Sequence, residues 1–112
     1  MQQDTIVKHT GGCTSVQTTL KVVGGKWKPP ILFLLSSGTL RFGELRKQIP
    51  GITQKMLTQE LREMEADGLI SRKVYPVVPP KVEYTLTAYG SSLQPILKSM
   101  SEWGKKHKDR VK

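Results

Sequence analysis

The sequence predicts a single α+β domain, mainly α. Three observations carry this. Helix-type segments bounded by Gly and Pro fill most of the 112 residues. Only two β-type runs occur, and both lie between the fourth and fifth helical segments. The length is that of one small domain, able to bury roughly two-thirds of its unfolded surface.

Residues 1–12 are polar and end in Gly11-Gly12, so they read as a mobile arm of the single domain 1–112. "TSVQTTLKVVGG" opens on the cap-type residues Thr14 and Ser15 and stops at Gly24-Gly25, which predicts a first helix. "KWKPPILFLLSSG" predicts a second. Pro29 and Pro30 are tolerated only in a first turn, where amide hydrogens lack helical partners, so this helix starts near Lys26 to Lys28 and ends before Gly38. "RFGELRKQIP" predicts a short third helix, stopped by Pro50-Gly51. Thr53 then caps a fourth, which runs to Asp67-Gly68; the apolar residues Ile52, Leu57 and Leu61, with Met64 beyond, fall on one face at helical spacing.

"LISRKVY" and "KVEYTLT" are β-type runs. In the second, Val82, Tyr84 and Leu86 alternate with Lys81, Glu83 and Thr85, giving one buried and one wet face. "PVVPP" between them cannot supply regular ladder donors and forms the tip. Residues 88–108 predict one long last helix, with Leu93, Ile96, Leu97, Met100 and Trp103 along one stripe. That stripe is larger than so small a domain needs for its own core, which predicts a homodimer built by the first and last helices.

The chain holds 18 Lys and Arg against 9 Asp and Glu, a net charge of +9. No acid lies between Asp4 and Glu44, and a second basic cluster, Lys105, Lys106, Lys108, Arg110 and Lys112, closes the chain. Such a balance favours polyanions, either nucleic acid or an anionic membrane surface. The longest apolar run, "ILFLL", is far short of the ~20 residues of a membrane span. The N-terminus lacks the apolar stretch of a signal peptide, so the expected location is cytoplasmic. The one cysteine fits a reducing compartment.

Helix, short helix, turn, helix and a two-stranded hairpin, in that order, make a winged helix-turn-helix, with the fourth helix as recognition helix and the hairpin as wing. The outer face of the fourth helix carries Gln54, Lys55, Thr58 and Gln59. Gln offers a donor and an acceptor that pair with adenine, Lys pairs with guanine, and Thr meets a thymine methyl or a phosphate. These four are the candidate base readers. Arg41, Arg46, Lys47, Thr53, Arg62, Arg72, Lys73 and Lys81 are candidates for the DNA backbone, where cations fix orientation. An ordinary solvated helix face is the competing reading of the same residues.

The stretches "GGKW" (24–27), "RFGELRKQIPGITQKMLTQELREMEADGLISR" (41–72), "VPPKVEYTLTAYG" (78–90) and "LQPIL" followed by Trp103 resemble the HxlR-type bacterial transcriptional regulators, in order and over most of the chain. The resemblance implies a homodimeric winged-helix DNA-binding protein whose terminal helices form the dimer interface. It implies control of nearby genes, often for detoxification or redox enzymes. In several such proteins an N-terminal cysteine just before the first helix senses electrophiles or oxidants, and Cys13 stands at that position. Thr14 follows it where proline is common, and Pro29-Pro30 is unusual for the second helix.

A lone cysteine is ordinarily a small buried apolar residue. Against that, Cys13 follows a Gly pair and precedes the predicted helix start, where free amides and the macrodipole stabilise a thiolate. Sensor and incidental residue both stand as readings. His9, His107 and Cys13 are too scattered for a closed zinc site, so no metal is expected. No Gly-rich phosphate loop, paired carboxylates or nucleophile–base signature occurs, so neither an enzyme nor a cofactor is expected. A winged-helix protein-interaction module is the alternative to a sequence-specific DNA binder. An RNA reader is disfavoured by seven aromatic residues (two Trp, three Tyr, two Phe), most at core-like positions.

Overall fold

The structure, a computed structural model, describes residues 3–111, with side chains described for residue 12 and for residues 14–111. Its elements are α1 (Gln3–Val23), α2 (Lys28–Leu35), β1 (Leu40–Arg41), α3 (Phe42–Gln48), α4 (Gln54–Ala66), β2 (Ile70–Tyr75), β3 (Lys81–Leu86), α5 (Ala88–Ser91) and α6 (Gln94–Arg110). This is a mainly helical winged helix-turn-helix, as the segment order predicts.

The helix-turn-helix is α3, a turn and α4. The turn is pinned by two buried side chains, Ile49 and Ile52, and reversed at Gly51, whose φ of 86° is left-handed and favours glycine. Thr53 caps α4 as expected: its hydroxyl oxygen accepts from the Met56 amide at 3.1 Å. Leu57, Leu61 and Met64 of α4 enter one core with Leu45 of α3, Ile31, Leu32 and Leu35 of α2, and Ile70 and Tyr84 of the sheet. Spacings of three and four residues put the α4 trio on one stripe, so their burial fixes which face of α4 remains outside.

The wing is the β2–β3 hairpin, paired antiparallel from Ile70–Leu86 to Tyr75–Lys81. A short strand, β1, adds to the other edge of β3 through Leu40–Tyr84 and Arg41–Glu83, giving the order β1-β3-β2. The sequence reading missed β1, since two residues cannot show a period-two alternation.

Two boundaries and one apolar stripe differ from expectation. α1 starts at Gln3 rather than Thr14, so Gly11-Gly12 lie within a helix instead of ending an arm. Glycine costs about 1 kcal/mol per helical position relative to alanine and does not forbid the helix. The last helix is broken: α5 ends at Ser91 and α6 starts at Gln94. Pro95 sits in the first turn of α6, the position that needs no amide donor, and so marks a new helix start. Finally, the stripe Leu93, Ile96, Leu97, Met100, Trp103 is divided. Leu97 is buried in the domain's own core with Leu93 packed against it, whereas Ile96, Met100 and Trp103 are exposed. Such a stripe on one helix is wide enough to face two ways.

α2 and α4 are also tied by charge. Lys28 opens α2 and is only 8% exposed. Its Nζ lies 2.5 Å from Glu63 Oε1 and 3.6 Å from Glu60 Oε1, both on α4. The hydrogen bond to Glu63 raises the Lys28 pKa above 10.5 against the opposing effect of burial. The same bond, and then one from Gln59, lowers the Glu63 pKa below 4.5. The depressed Glu63 value means its contribution is complete above pH 4.5 and is lost as pH falls through the folded-state value. The raised Lys28 value means its contribution is complete below pH 10.5 and is lost as pH rises through the folded-state value. Lys28→Met is therefore expected to lower the thermal midpoint at pH 7 by about 5 °C or more. The gap to wild type should narrow as pH falls below 4.5. Thermal melts from pH 7 to pH 3 check this, and a gap that stays constant would assign Lys28 to packing alone.

Candidate nucleic-acid interface

The buried trio of α4 leaves the opposite side of that helix outside. Gln54, Lys55 and Gln59 are exposed and Thr58 is half-buried. Gln54, Thr58 and Arg62, four residues apart, form one line along the helix, and Lys55 and Gln59 form the next. The four candidate base readers thus share one face with Arg62 beside them. Local bonds restrict two of them. Thr58 Oγ1 donates to the Gln54 carbonyl at 2.8 Å, which leaves the methyl and the oxygen lone pairs for an outside partner. Gln59 Nε2 donates to Glu63 Oε2 at 2.8 Å.

The predicted backbone contacts fall into three groups. Arg46 and Lys47 stand exposed in the last turn of α3, the helix before the turn. Arg62 and Arg72 line a cleft of about 210 Å³ between α4 and the wing, together with Thr58, Glu65, Leu61 and Tyr84. This brings a β2 arginine next to Thr58 and Arg62 on the outward face of α4. Arg41, Lys73 and Lys81 form the third group, on the other face of the sheet, because Arg41 and Lys73 are both paired with Glu83. The sequence reading grouped Arg72, Lys73 and Lys81 together on the wing. The pleat separates them, since neighbours along a strand point to opposite faces.

That outer face has its own network. Lys73 Nζ and Lys81 Nζ lie 4.9 and 4.7 Å from the centre of the Tyr75 ring. Tyr75 donates its hydroxyl to Glu83 Oε1 at 2.8 Å, and Lys81 Nζ is 3.4 Å from Glu83 Oε2. The Tyr75 hydrogen bond, with Lys81 and Arg41 adding to it, holds the Glu83 pKa below 4.5. Two of the wing cations are thus held against one ring, and Lys81 also pairs with Glu83, while Arg72 faces the α4 cleft. At the α3 start, the Arg41 amide donates to Glu44 Oε1 at 2.8 Å, and Thr53 spends its hydroxyl acceptor on its cap.

Cys13 falls inside α1, not ahead of a helix start. Within a helix the amides already bond to preceding carbonyls, so the argument from free amides lapses there. The Cys13 side chain lies outside the described residues. Among the described residues, no group of three His, Cys, Asp or Glu side chains could hold a metal ion, and no helix is long and apolar enough to cross a membrane.

Sequence reasoning missed the Lys28–Glu60–Glu63 cluster behind the outward face. In the sequence Glu60 and Glu63 look like ordinary solvated acids beside the apolar stripe. What the sequence lacked was the distant cation, 35 residues away.

The HxlR-like helix-turn-helix family matches residues 22–112. The HTH-type transcriptional regulator YdeP of Bacillus subtilis strain 168 is 55% identical over 100 residues, covering 89% of this chain and 77% of that protein. Among solved structures, the redox regulator HypR in its reduced form superposes with a TM-score of 0.83 at 50% identity, covering 87% of this chain and 96% of that one. The reduced form of the transcriptional regulator YodB from B. subtilis does so at 0.72 and 36%, covering 82% and 90%. This chain therefore belongs to the HxlR-like helix-turn-helix family of transcriptional regulators and is not an enzyme.

Proposed function

We propose that the chain is a sequence-specific regulator that binds duplex DNA as a homodimer on a near-palindromic operator. The observation that carries this is the outward face of α4. It presents Gln54, Lys55, Thr58, Gln59 and Arg62 away from the core; of the α4 acids, Glu60 and Glu63 face Lys28, and Glu65 lines the cleft with Arg62 and Arg72. A net charge of +9 supplies the long-range attraction to phosphates. Gln54, Lys55, Thr58 and Gln59 read base edges, and Arg41, Arg46, Lys47, Thr53, Arg62, Arg72, Lys73 and Lys81 hold the backbone. The homodimer is supported by apolar side chains left outside on the terminal helices: Val16 and Leu20 on α1, and Ile96, Met100 and Trp103 on α6. Two-fold symmetry would set the two α4 helices one DNA turn, roughly 34 Å, apart.

The finer reading is a response to oxidants or electrophiles through Cys13, the one thiol of the chain. It is supported by the similarity to HypR, whose structure is named as that of a redox regulator. With one thiol, the reversible oxidation products are a sulfenic acid, a mixed disulfide with a small thiol, or a bridge between subunits. Any of these changes bulk or charge on α1, one of the two proposed dimer helices, and so the spacing of the α4 pair.

Two outcomes are expected. In competition gel shifts at fixed salt with DNA from upstream of its own gene, Gln54→Ala should lose about 1–3 kcal/mol of preference at particular base pairs. Lys73→Ala should weaken operator and random duplexes alike and lower the salt slope by about one. A duplex carrying one half-site should bind far more weakly than the full site. Equal effects of both variants on both duplexes would contradict the division of roles. In the second experiment, diamide should change operator affinity in the wild type and leave Cys13→Ser unaffected. Equal responses of the two proteins would remove Cys13 from the account.

A further inference from the structure

Three residues from two helices form a chain that ends on the DNA-facing side of α4. Lys28, nearly buried, places its ammonium 2.5 Å from one oxygen of Glu63. The other oxygen of Glu63 takes a hydrogen bond from Gln59 Nε2 at 2.8 Å. An ionised carboxylate only accepts, so the Gln59 amide must turn its nitrogen toward Glu63 and its oxygen away. Flipping the amide would set oxygen against oxygen. Lys28 keeps the carboxylate ionised and in place, because its own burial leaves it needing that counter-charge. Gln59 is therefore presented with a defined outer edge: the carbonyl oxygen and the one remaining N–H.

We propose that Glu63 is a positioning residue for base reading, and that through the Gln59 amide it selects adenine over guanine at one operator position. The proposal rests on the reading of Gln59 as a base contact. Adenine offers the N6 donor and the N7 acceptor in the major groove, which match the amide oxygen and the remaining N–H. Guanine offers O6 and N7, both acceptors. It would meet the amide oxygen with an acceptor, and the second N–H that could satisfy it is committed to Glu63. An unanchored glutamine could rotate to meet either base, whereas this one loses its bond to Glu63 when it does. The specificity thus originates in α2, through a lysine that itself lies behind the reading face.

The test is competition binding with operator duplexes in which each position carries each of the four base pairs, using wild type, Gln59→Ala, Glu63→Gln and Glu63→Ala. Gln59→Ala locates the position by flattening it. In the wild type, adenine should exceed guanine there by about tenfold or more. Glu63→Gln keeps the shape, but with its one amide oxygen accepting from Lys28 its NH2 faces Gln59, so the orientation that the carboxylate imposed on the Gln59 amide is lost. The adenine-to-guanine ratio should fall to within about threefold at that position and stay unchanged at the others. Glu63→Ala should do the same, with its thermal midpoint recorded alongside. The double variant Gln59→Ala/Glu63→Gln should discriminate no worse than Gln59→Ala alone. If Gln59→Ala flattens a position and Glu63→Gln does not, the positioning role is wrong. If the Glu63 variants weaken every position equally, Glu63 acts on stability alone and the proposal is overturned. If Gln59→Ala changes no position, the base-contact reading of Gln59 fails, and the proposal falls with it for that separate reason.

Discussion

Lys28 has almost no access to water, and its charge is met by Glu63 and Glu60 of α4. A buried ammonium without partners would be strongly unfavourable, so α2 and α4 can pack only in the rotation that brings these carboxylates to it. Apolar burial of Leu57, Leu61 and Met64 sets roughly which side of α4 faces inward. A stripe of Leu and Met tolerates some rotation, since hydrophobic contact is non-directional. The ion pair is directional and removes that freedom. The outward line of Gln54, Thr58 and Arg62 follows from the combination, and so does the orientation of the Gln59 amide.

The wing repeats the same division of labour on a sheet. One face of β2 and β3 gives Ile70 and Tyr84 to the core and directs Arg72 toward α4. The other carries Lys73, Tyr75, Lys81 and Glu83 as a network of ring and charge contacts. Arg72 and Lys73 are chain neighbours with different surroundings, and a screened surface charge such as Lys73 is suited to phosphate attraction more than to a fixed base contact. The family places this chain among transcriptional regulators, and the surface proposed for that role joins the outward face of α4 to Arg72 in the cleft and to Arg46 and Lys47 of α3.

Much of this was legible in the residues. The helix-turn-helix was readable because Pro50-Gly51, the Thr53 cap and Gly68 punctuate a strong apolar period, and each acts locally. The hairpin was readable because Val82, Tyr84 and Leu86 alternate. What failed to show was what depends on distant partners. β1 exists only because β3 offers it an edge. The split of the last helix at residues 92–93 needed Pro95 to be weighed as a helix start rather than passed over. Leu97 was assigned to a dimer because sequence periodicity says that a side is apolar and not what it meets; in the fold it meets α2 and the core. Likewise Lys28 read as one of several basic residues, and only its place against α4 makes it an anchor.

In the proposed function, α4 and the cleft beside it, held outward by the Lys28 anchor, meet duplex DNA. Amide and side-chain NMR shifts of the labelled protein, titrated with an operator duplex, test this residue by residue. The account predicts the largest changes at Gln54, Lys55, Thr58, Gln59 and Arg62, with Arg72 and the α3 cations Arg46 and Lys47 next, and little change at the exposed end of α6 around Trp103. Shifts concentrated on α2 and α6, with residues 54–62 unmoved, would contradict it.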